Sequence, residues 1–474
     1  MSQRRILLAA PASGSGKTLI TCGLLQLLKQ KQYAVQSFKC GPDFIDPMFH
    51  AHITGQPAGN LDAFMAEPAA LRRMLAEGAG NADVTVIEGV MGCFDGMSFG
   101  SSAGSSCDVA GMTATPVILI VNARGMSTTL LPLISGMLQY PGGNVIRGVI
   151  LNQISPGIYP AVKKMIEDAL PVRVVGYLPV MPEVRLDSRH LGLLMPEEIE
   201  TLDLQLQLLA EKMDQTVDLD ALFAIAQTAG ALSLESGEAT AEIPDFGPLR
   251  IGVAKDSAFC FFYAENLRML ARAGAELVYF SPVSDTALPD NLHALLLCGG
   301  YPELHAEALS RNAQMRTAVR CAAEAGMPVL AECGGFLYLH DTLEDPEGRS
   351  WPMCGVIHAS AFNNRRLTRF GYITLQNGTF FGQETGPVRA HEFHHYESSD
   401  PGHAFFAVKP GGKRSWYCAH STDTMYAGFP HLFFPANPGV AEAFLRAAAG
   451  FRDKQKRLEV PVEIQERNTG KVIP

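Results

Sequence analysis

Apolar runs recur at residues 6–10, 84–87, 116–121 and 145–151 without the polar alternation of a half-exposed strand. Runs of this kind are strands buried on both faces. Between them lie stretches with apolar residues at helical spacing, such as Leu19 to Lys31 and Ala161 to Leu170. The alternation predicts an α/β fold with a doubly wound, mostly parallel sheet whose ligands sit at the C-terminal strand ends. From about Ala231 to Gly247 the composition turns to Ser, Glu, Gly, Ala, Thr and Pro, the mark of a linker. Arg250-Ile251-Gly252-Val253-Ala254 restarts the pattern, with further strands at 276–280, 294–298 and 327–331. Two doubly wound units are therefore expected, over 1–230 and 248–450, joined by a linker at 231–247. Residues 353–435 are richer in aromatic, Thr and Gly residues and predict hairpins late in the second unit. Residues 451–474 are charged and proline-punctuated, and read as a surface tail.

A length of 474 residues is too great for one ordinary core, which agrees with that division. Hydrophobic content of 47% with 18% charge describes a well-packed enzyme. A net charge of −10 argues against general affinity for nucleic acid or anionic membranes, while leaving room for a local basic pocket. Arg4-Arg5 before Ile6–Ala10 superficially resembles a signal peptide, but the apolar stretch is short and runs into glycine-rich sequence, so a first strand is preferred. No apolar run approaches the roughly 20 residues that span a bilayer. The ten cysteines include no C-x-x-C pair, and reduced thiols in a cytoplasmic protein are expected.

Two segments carry candidate chemistry. The first, Ser13-Gly14-Ser15-Gly16-Lys17-Thr18, lies between a predicted strand and a predicted helix. A phosphate cradle needs glycines so that backbone N–H groups can approach, a lysine for the β/γ charge and a hydroxyl for Mg²⁺. Gly14, Gly16, Lys17 and Thr18 supply these, although the strict pattern wants glycine where Pro11 stands. Lys39 with Asp43 and Asp46, then Glu88 and Asp95, follow later strands. Singly, such carboxylates are more often turn caps. Together at equivalent strand ends they favour a metal and substrate site, with Thr18, Asp46 and Glu88 as candidate Mg²⁺ ligands.

The second segment is Ala331-Glu332-Cys333-Gly334-Gly335, between apolar runs at 327–330 and 336–339. It reads as a cysteine at a strand-to-helix elbow, where the helix N-terminus favours thiolate. The N–H of Gly334, with that of Gly300 from the Cys298–Glu303 run, could receive an oxyanion. The other nine cysteines read as structural. Thirteen histidines compete as the base, and His431, in the apolar stretch Gly428–Phe434, would ordinarily be a satisfied core residue. The literal H-E-x-x-H match at His391–His395 would need a helix to bind zinc. Its flanks, Pro387–Ala390 and Tyr396, favour a pocket-lining strand instead.

Six motifs in order, FKCGPDFIDP at 38–47, EGVMGCFDG at 88–96, AKDSAFCFFYAEN at 254–266, GGYPELH at 299–305, AECGG at 331–335 and HEFH at 391–394, resemble the cobyrinate a,c-diamide synthase family of cobalamin-pathway glutamine amidotransferases. The resemblance covers residues 4 to about 450. It implies an N-terminal ATP-dependent synthetase domain like that of dethiobiotin synthetase and a C-terminal class I glutaminase domain. Cys333 would then form a glutamyl thioester, with His431 raising its nucleophilicity. Class I glutaminases carry a Glu two residues beyond the histidine, where this chain has Phe433, so a Cys–His dyad is implied. The resemblance further implies that ATP and Mg²⁺ activate carboxylates of a corrin-type tetrapyrrole acid, and that ammonia from glutamine attacks them at the a and c acetates. Lys39, Asp43, Asp46, Glu88 and Asp95 would line that pocket. Nucleic acid and membrane are not expected partners, and a homodimer is compatible with the sequence. The same chemistry on hydrogenobyrinate or a nickel or iron sirohydrochlorin is an alternative. A non-catalytic P-loop regulator with a vestigial glutaminase fold is another, against which intact Lys17, Cys333 and His431 argue.

Overall fold

A computed structural model of the protein describes residues 4–186, 188–189, 192–232 and 243–459. The first half forms a seven-stranded parallel sheet from β1 (Arg5–Ala9), β2 (Val35–Cys40), β3 (Gly59–Leu61), β4 (Val84–Glu88), β5 (Val117–Asn122), β6 (Ile146–Asn152) and β7 (Arg173–Leu178). Their order across the sheet is β3-β2-β4-β1-β5-β6-β7. The absence of alternation in these strands has a direct structural cause. In β1, Ile6 and Leu8 enter one hydrophobic cluster while Leu7 and Ala9 enter another on the opposite face. Each fully buried Leu or Ile side chain stabilises by about 1.5–3 kcal/mol, so both faces of this strand hold helices to the sheet.

The chain reverses order at β1, between β4 and β5, and the crevice beyond the strand ends there is where doubly wound sheets bind ligands. Helix α1 (Lys17–Gln30) starts in that crevice. Helix α2 (Ile45–Thr54) starts beside it and carries Asp46 in its first turn. Pro47 is tolerated because the first helical turn does not need its N–H.

The second half begins with a six-stranded sheet in which Ala275–Phe280, Leu249–Ala254, Ala294–Leu297, Val329–Glu332 and Met425–Gly428 run parallel in that spatial order. The stretch rich in aromatic residues supplies a whole five-stranded sheet and two strands of a four-stranded one, whose other strands, His340–Glu344 and Ser350–Pro352, precede it. The halves share packing as well as chain. Tyr263 and Phe433 enter a core cluster of the first sheet, and Tyr301 enters the other. Arg272–Glu77 at 2.6 Å and Arg389–Glu67 at 2.8 Å tie the rim.

Three expectations change. Helix Pro438–Glu459 continues through 451–459, where a tail was expected, and 460–474 lies outside the described residues. Most of the expected linker, 233–242, also lies outside them. The cysteines are not all free thiols, because Cys93 and Cys107 are joined across a loop with Cα atoms 5.3 Å apart. Nor are the remaining cysteines all buried, since Cys321 is exposed. No helix among the described residues is long and apolar enough to cross a membrane.

Candidate active site

The first group of site residues gathers at the ends of β1, β2 and β4. Gly16 precedes α1 with φ +92°, a left-handed value that suits glycine, and a side chain there would collide with Asn152. The Asn152 amide donates to the Ser15 carbonyl at 2.8 Å and so fixes the loop from below. Gly14 has φ +77° and open space around it, as backbone that must face a ligand requires. Lys17 Nζ donates to the Met91 carbonyl at 2.6 Å. Burial lowers its pKa, Lys39 adds to that, and Glu88, Asp46 and Asp95 oppose it.

Thr18 Oγ1 donates to Glu88 Oε1 at 2.7 Å and lies 3.4 Å from Asp46 Oδ2. Lys39 Nζ bridges the same carboxylates, 2.5 Å from Asp46 and 3.0 Å from Glu88. His50 Nε2 meets the other oxygen of Glu88 at 2.8 Å. Burial alone would raise Glu88, yet Lys39, His50 and Thr18 outweigh it and hold that carboxyl below the usual range. Asp46 is pushed up by burial and by Asp43 and Glu88, against the pull of Lys39. Three oxygens therefore converge, from one hydroxyl and two buried carboxylates. That donor set fits Mg²⁺ arriving with phosphates, which commonly uses one or two protein carboxylates.

The other two expected carboxylates have backbone partners. Asp43 accepts from the N–H of Ile45 at 2.8 Å and of Asp46 at 3.3 Å, capping the start of α2. Asp95 accepts from Gly92 N–H at 2.9 Å and closes the loop beneath Lys17. Both therefore shape the loops around Lys17 and Asp46. His50 was missed by the sequence reading, although it follows Asp46 by four residues and so shares its helix face.

The second group is built around one backbone position. Cys333 ends strand Val329–Glu332, precedes helix Gly334–Tyr338 and has φ 45°. A non-glycine residue there stores strain that persists only where its surroundings fix it, a recurrent feature of nucleophile turns. Its N–H donates to Gly428 O at 2.8 Å, and Leu337 N–H donates to its carbonyl at 3.0 Å. The elbow fits because the next residues lack side chains. A Cβ on Gly334 would stand 3.0 Å from the Gly300 nitrogen, so the two expected oxyanion donors are neighbours.

His431 is buried beside Cys333, and a Cβ on Gly299 would lie 2.7 Å from its Cε1. Burial lowers its pKa, but the Cys333 sulfur and the Glu332 carboxylate outweigh burial and push it up to about 10. Glu332 Oε2 is 3.6 Å from His431 Nδ1, an ion-pair separation, while Oε1 accepts from Leu432 N–H at 3.2 Å. The carboxylate nearest His431 therefore comes from the residue before Cys333, at ion-pair distance, while Phe433 offers none. His391 lies on strand Val388–His394, as its flanks predicted, but the second histidine of the motif, His395, falls at the bend before strand Tyr396–Ser398 and not on the same strand. Among the described residues no group of three or more His, Cys, Asp and Glu side chains could hold a metal ion.

The groups meet through Phe44, one residue before α2. Its ring centroid lies 5.0 Å from that of His431, 5.1 Å from Phe261 and 4.5 Å from Tyr263. The turn that carries Asp46 therefore packs on the histidine beside Cys333.

Residues 6–194 match the CobQ/CobB/MinD/ParA nucleotide binding domain family, and residues 250–438 match the CobB/CobQ-like glutamine amidotransferase domain family. Similar curated proteins are named cobyrinate a,c-diamide synthase. That of Listeria monocytogenes serotype 4b is 38% identical over 91% of this chain and 97% of its own. That of Listeria innocua is 37% identical over 92% and 97%. That of Dehalococcoides mccartyi (strain ATCC BAA-2266) is 35% identical over 95% and 99%.

Proposed function

The chain belongs to the cobyrinate a,c-diamide synthase family, and from that membership we propose that it is an ATP- and glutamine-dependent ligase that amidates the a and c acetate carboxylates of cobyrinate. The contact of Phe44 with His431 is the observation that carries this reading, because it sets an ATP-type site against a glutaminase-type site. In the second half, the Cys333 sulfur attacks the side-chain carbonyl of glutamine. The N–H groups of Gly300 and Gly334 receive the oxyanion. Protonated His431 gives its proton to the departing nitrogen, which leaves as ammonia, and water then hydrolyses the thioester to glutamate.

In the first half, Gly14, Gly16, Lys17 and Thr18 hold ATP. An acetate oxygen of the ring acid attacks the γ-phosphorus, giving an acyl phosphate and ADP. Carboxylate resonance otherwise blocks ammonia. Attack on the acyl phosphate expels phosphate, and the amide forms after loss of a proton. Mg²⁺, held by Thr18, Asp46 and Glu88, would supply charge neutralisation at the phosphates. Lys39, Asp43, Asp46, Glu88 and Asp95 ring the acceptor acid.

Cys333→Ala is the test. Amidation driven by glutamine should vanish while free ammonia still supports it, followed by mass spectrometry of the product. Loss with both donors would sink the two-site scheme. The same assay on hydrogenobyrinate and metal sirohydrochlorins fixes the ring.

A further inference from the structure

One sheet of the second half has an uncovered end. Its strands run in the order Ser415–Cys418, Phe405–Val408, Arg369–Gln376, Val388–His394, His431–Leu432. Ile373, Leu375, Ala390, Ala407 and Leu432 fill a core cluster on one face. The registers place Phe370 opposite Phe393, Tyr372 opposite His391, and His391 opposite His431, so these residues share the other face. The nucleotide half covers only part of it. Tyr372 donates to Asp62 Oδ2 at 2.8 Å and packs on Phe64, with ring centroids 4.5 Å apart. A Cβ on Gly41 would meet the Tyr372 oxygen at 3.9 Å and Val90 at 3.8 Å. Tyr372 therefore marks where this face reaches the turn between Lys39 and Asp43. Two residues further along, about 7 Å by strand rise, Phe370 is 58% exposed while its ring lies edge-on to Phe393 at 5.0 Å.

The rim of that end carries one sign of charge. The loop before Phe370 brings Arg365 and Arg366, and the adjacent turn brings Lys409, Lys413 and Arg414. Among the described residues, none of the five has a carboxylate within ion-pair distance. Lys409 Nζ donates to the Phe370 carbonyl. Its pKa is lowered by burial and, against the pull of Glu392, by Arg414 and Arg369. In a chain of net charge −10, unpaired cations around an exposed ring point to a ligand that is both flat and polyanionic.

We propose that this end of the sheet seats the ring substrate, a planar macrocycle bearing several carboxylates. Its face lies on Phe370 and Phe393, and Arg365, Arg366 and Lys409 hold its peripheral carboxylates. The group to be amidated then extends past Tyr372 to the Gly41 turn. The inference rests on the ligase reading above and adds where the acceptor lies. Arg–carboxylate pairs give orientation as well as attraction, so the seat also selects which acetate reaches the nucleotide.

The test uses the full chain with cobyrinate as probe, its binding followed by the ring's own visible absorbance, and a single-stranded oligonucleotide as the competing flat polyanion. In R365E/R366E and in Phe370→Ala, KM for cobyrinate should rise 10- to 50-fold, with KM for ATP and for glutamine held within twofold. Cobyrinate affinity of the wild type should fall with salt, and less steeply in R365E/R366E. Unchanged cobyrinate affinity in both variants overturns the seat and leaves the ligase reading standing. Failure of the wild type to bind any ring acid overturns both. Oligonucleotide binding that the charge reversal abolishes, with cobyrinate unaffected, overturns the seat in favour of nucleic acid.

Discussion

The two halves build their candidate sites by opposite means. The nucleotide half gathers polar and ionisable groups, Lys39 between Asp46 and Glu88, with His50 and Thr18 on Glu88, at the ends of separate parallel strands and helices. Each charge is tolerable only because the others are present. The glutaminase half puts its candidate nucleophile, Cys333, on one strained residue and surrounds it with glycines and the buried His431. One site is an electrostatic network whose members hold each other, and the other is a backbone shape that would survive loss of its own nucleophile.

The largest expected effect breaks the network. Lys39→Met leaves two buried carboxylates without their shared cation, which costs about 3–5 kcal/mol and lowers the thermal midpoint by roughly 6–20 °C. Amidation should be lost with glutamine and with ammonia alike. Cys333→Ala should lose glutamine-driven amidation with a stability change of about 1 kcal/mol or less. Calorimetry of both variants checks the contrast, and equal destabilisation would refute it.

Glu332→Gln probes the other side. It keeps an acceptor for Leu432 N–H but removes the charge beside His431. Glutamine-dependent kcat/KM should fall by at least about tenfold, short of the roughly 10⁴-fold drop when the Asp of a tightly bonded triad becomes Asn. The sign of the pH effect follows from the raised pKa. With a folded value of about 10, the charged histidine's contribution to stability is complete below about pH 6.5 and lost as pH rises through 10. Removing one cause of the rise lowers that value, so the alkaline limb of the glutaminase profile should move to lower pH. A limb that stays put, with ammonia-driven amidation intact, would show that Glu332 does not orient His431.

The contrast also explains what the sequence made legible. A backbone shape writes itself locally, so the buried run of β1, the Gly14–Thr18 loop and the double-glycine elbow were readable at fixed spacing. A network assembled across strands does not. Glu332 was visible beside Cys333, but its approach to His431 depends on Val329–Glu332 pairing in parallel with Met425–Gly428 nearly a hundred residues later. Tyr372 and Asp62 meet only because two sheets pack together. The Cys93–Cys107 bond carries no motif, since its partners are joined by an irregular loop. His50 is the exception, for its i+4 relation to Asp46 was readable once that segment was taken as a helix.

The smallest predicted effect bears most directly on whether the two kinds of site communicate. Phe44 adjoins α2, which carries Asp46 in its first turn, and its ring rests on His431. A ligand that draws Asp46 or Thr18 toward phosphate therefore acts on a segment in contact with the glutaminase histidine. Aromatic contacts of this geometry are worth about 0.5–1.5 kcal/mol each, or roughly 2- to 10-fold in an equilibrium. In the wild type, ATP and ring acid together should change kcat/KM for glutamine by about that factor. In Phe44→Ala the response should disappear and more glutamate should form per amide, while Phe44→Leu, which keeps apolar bulk, should restore part of it. Glutamate and amide measured in the same reaction supply the readout, because a merely structural role would lower both and leave their ratio unchanged. If the ratio holds in both variants, the backbone-built site works without hearing from the charge network.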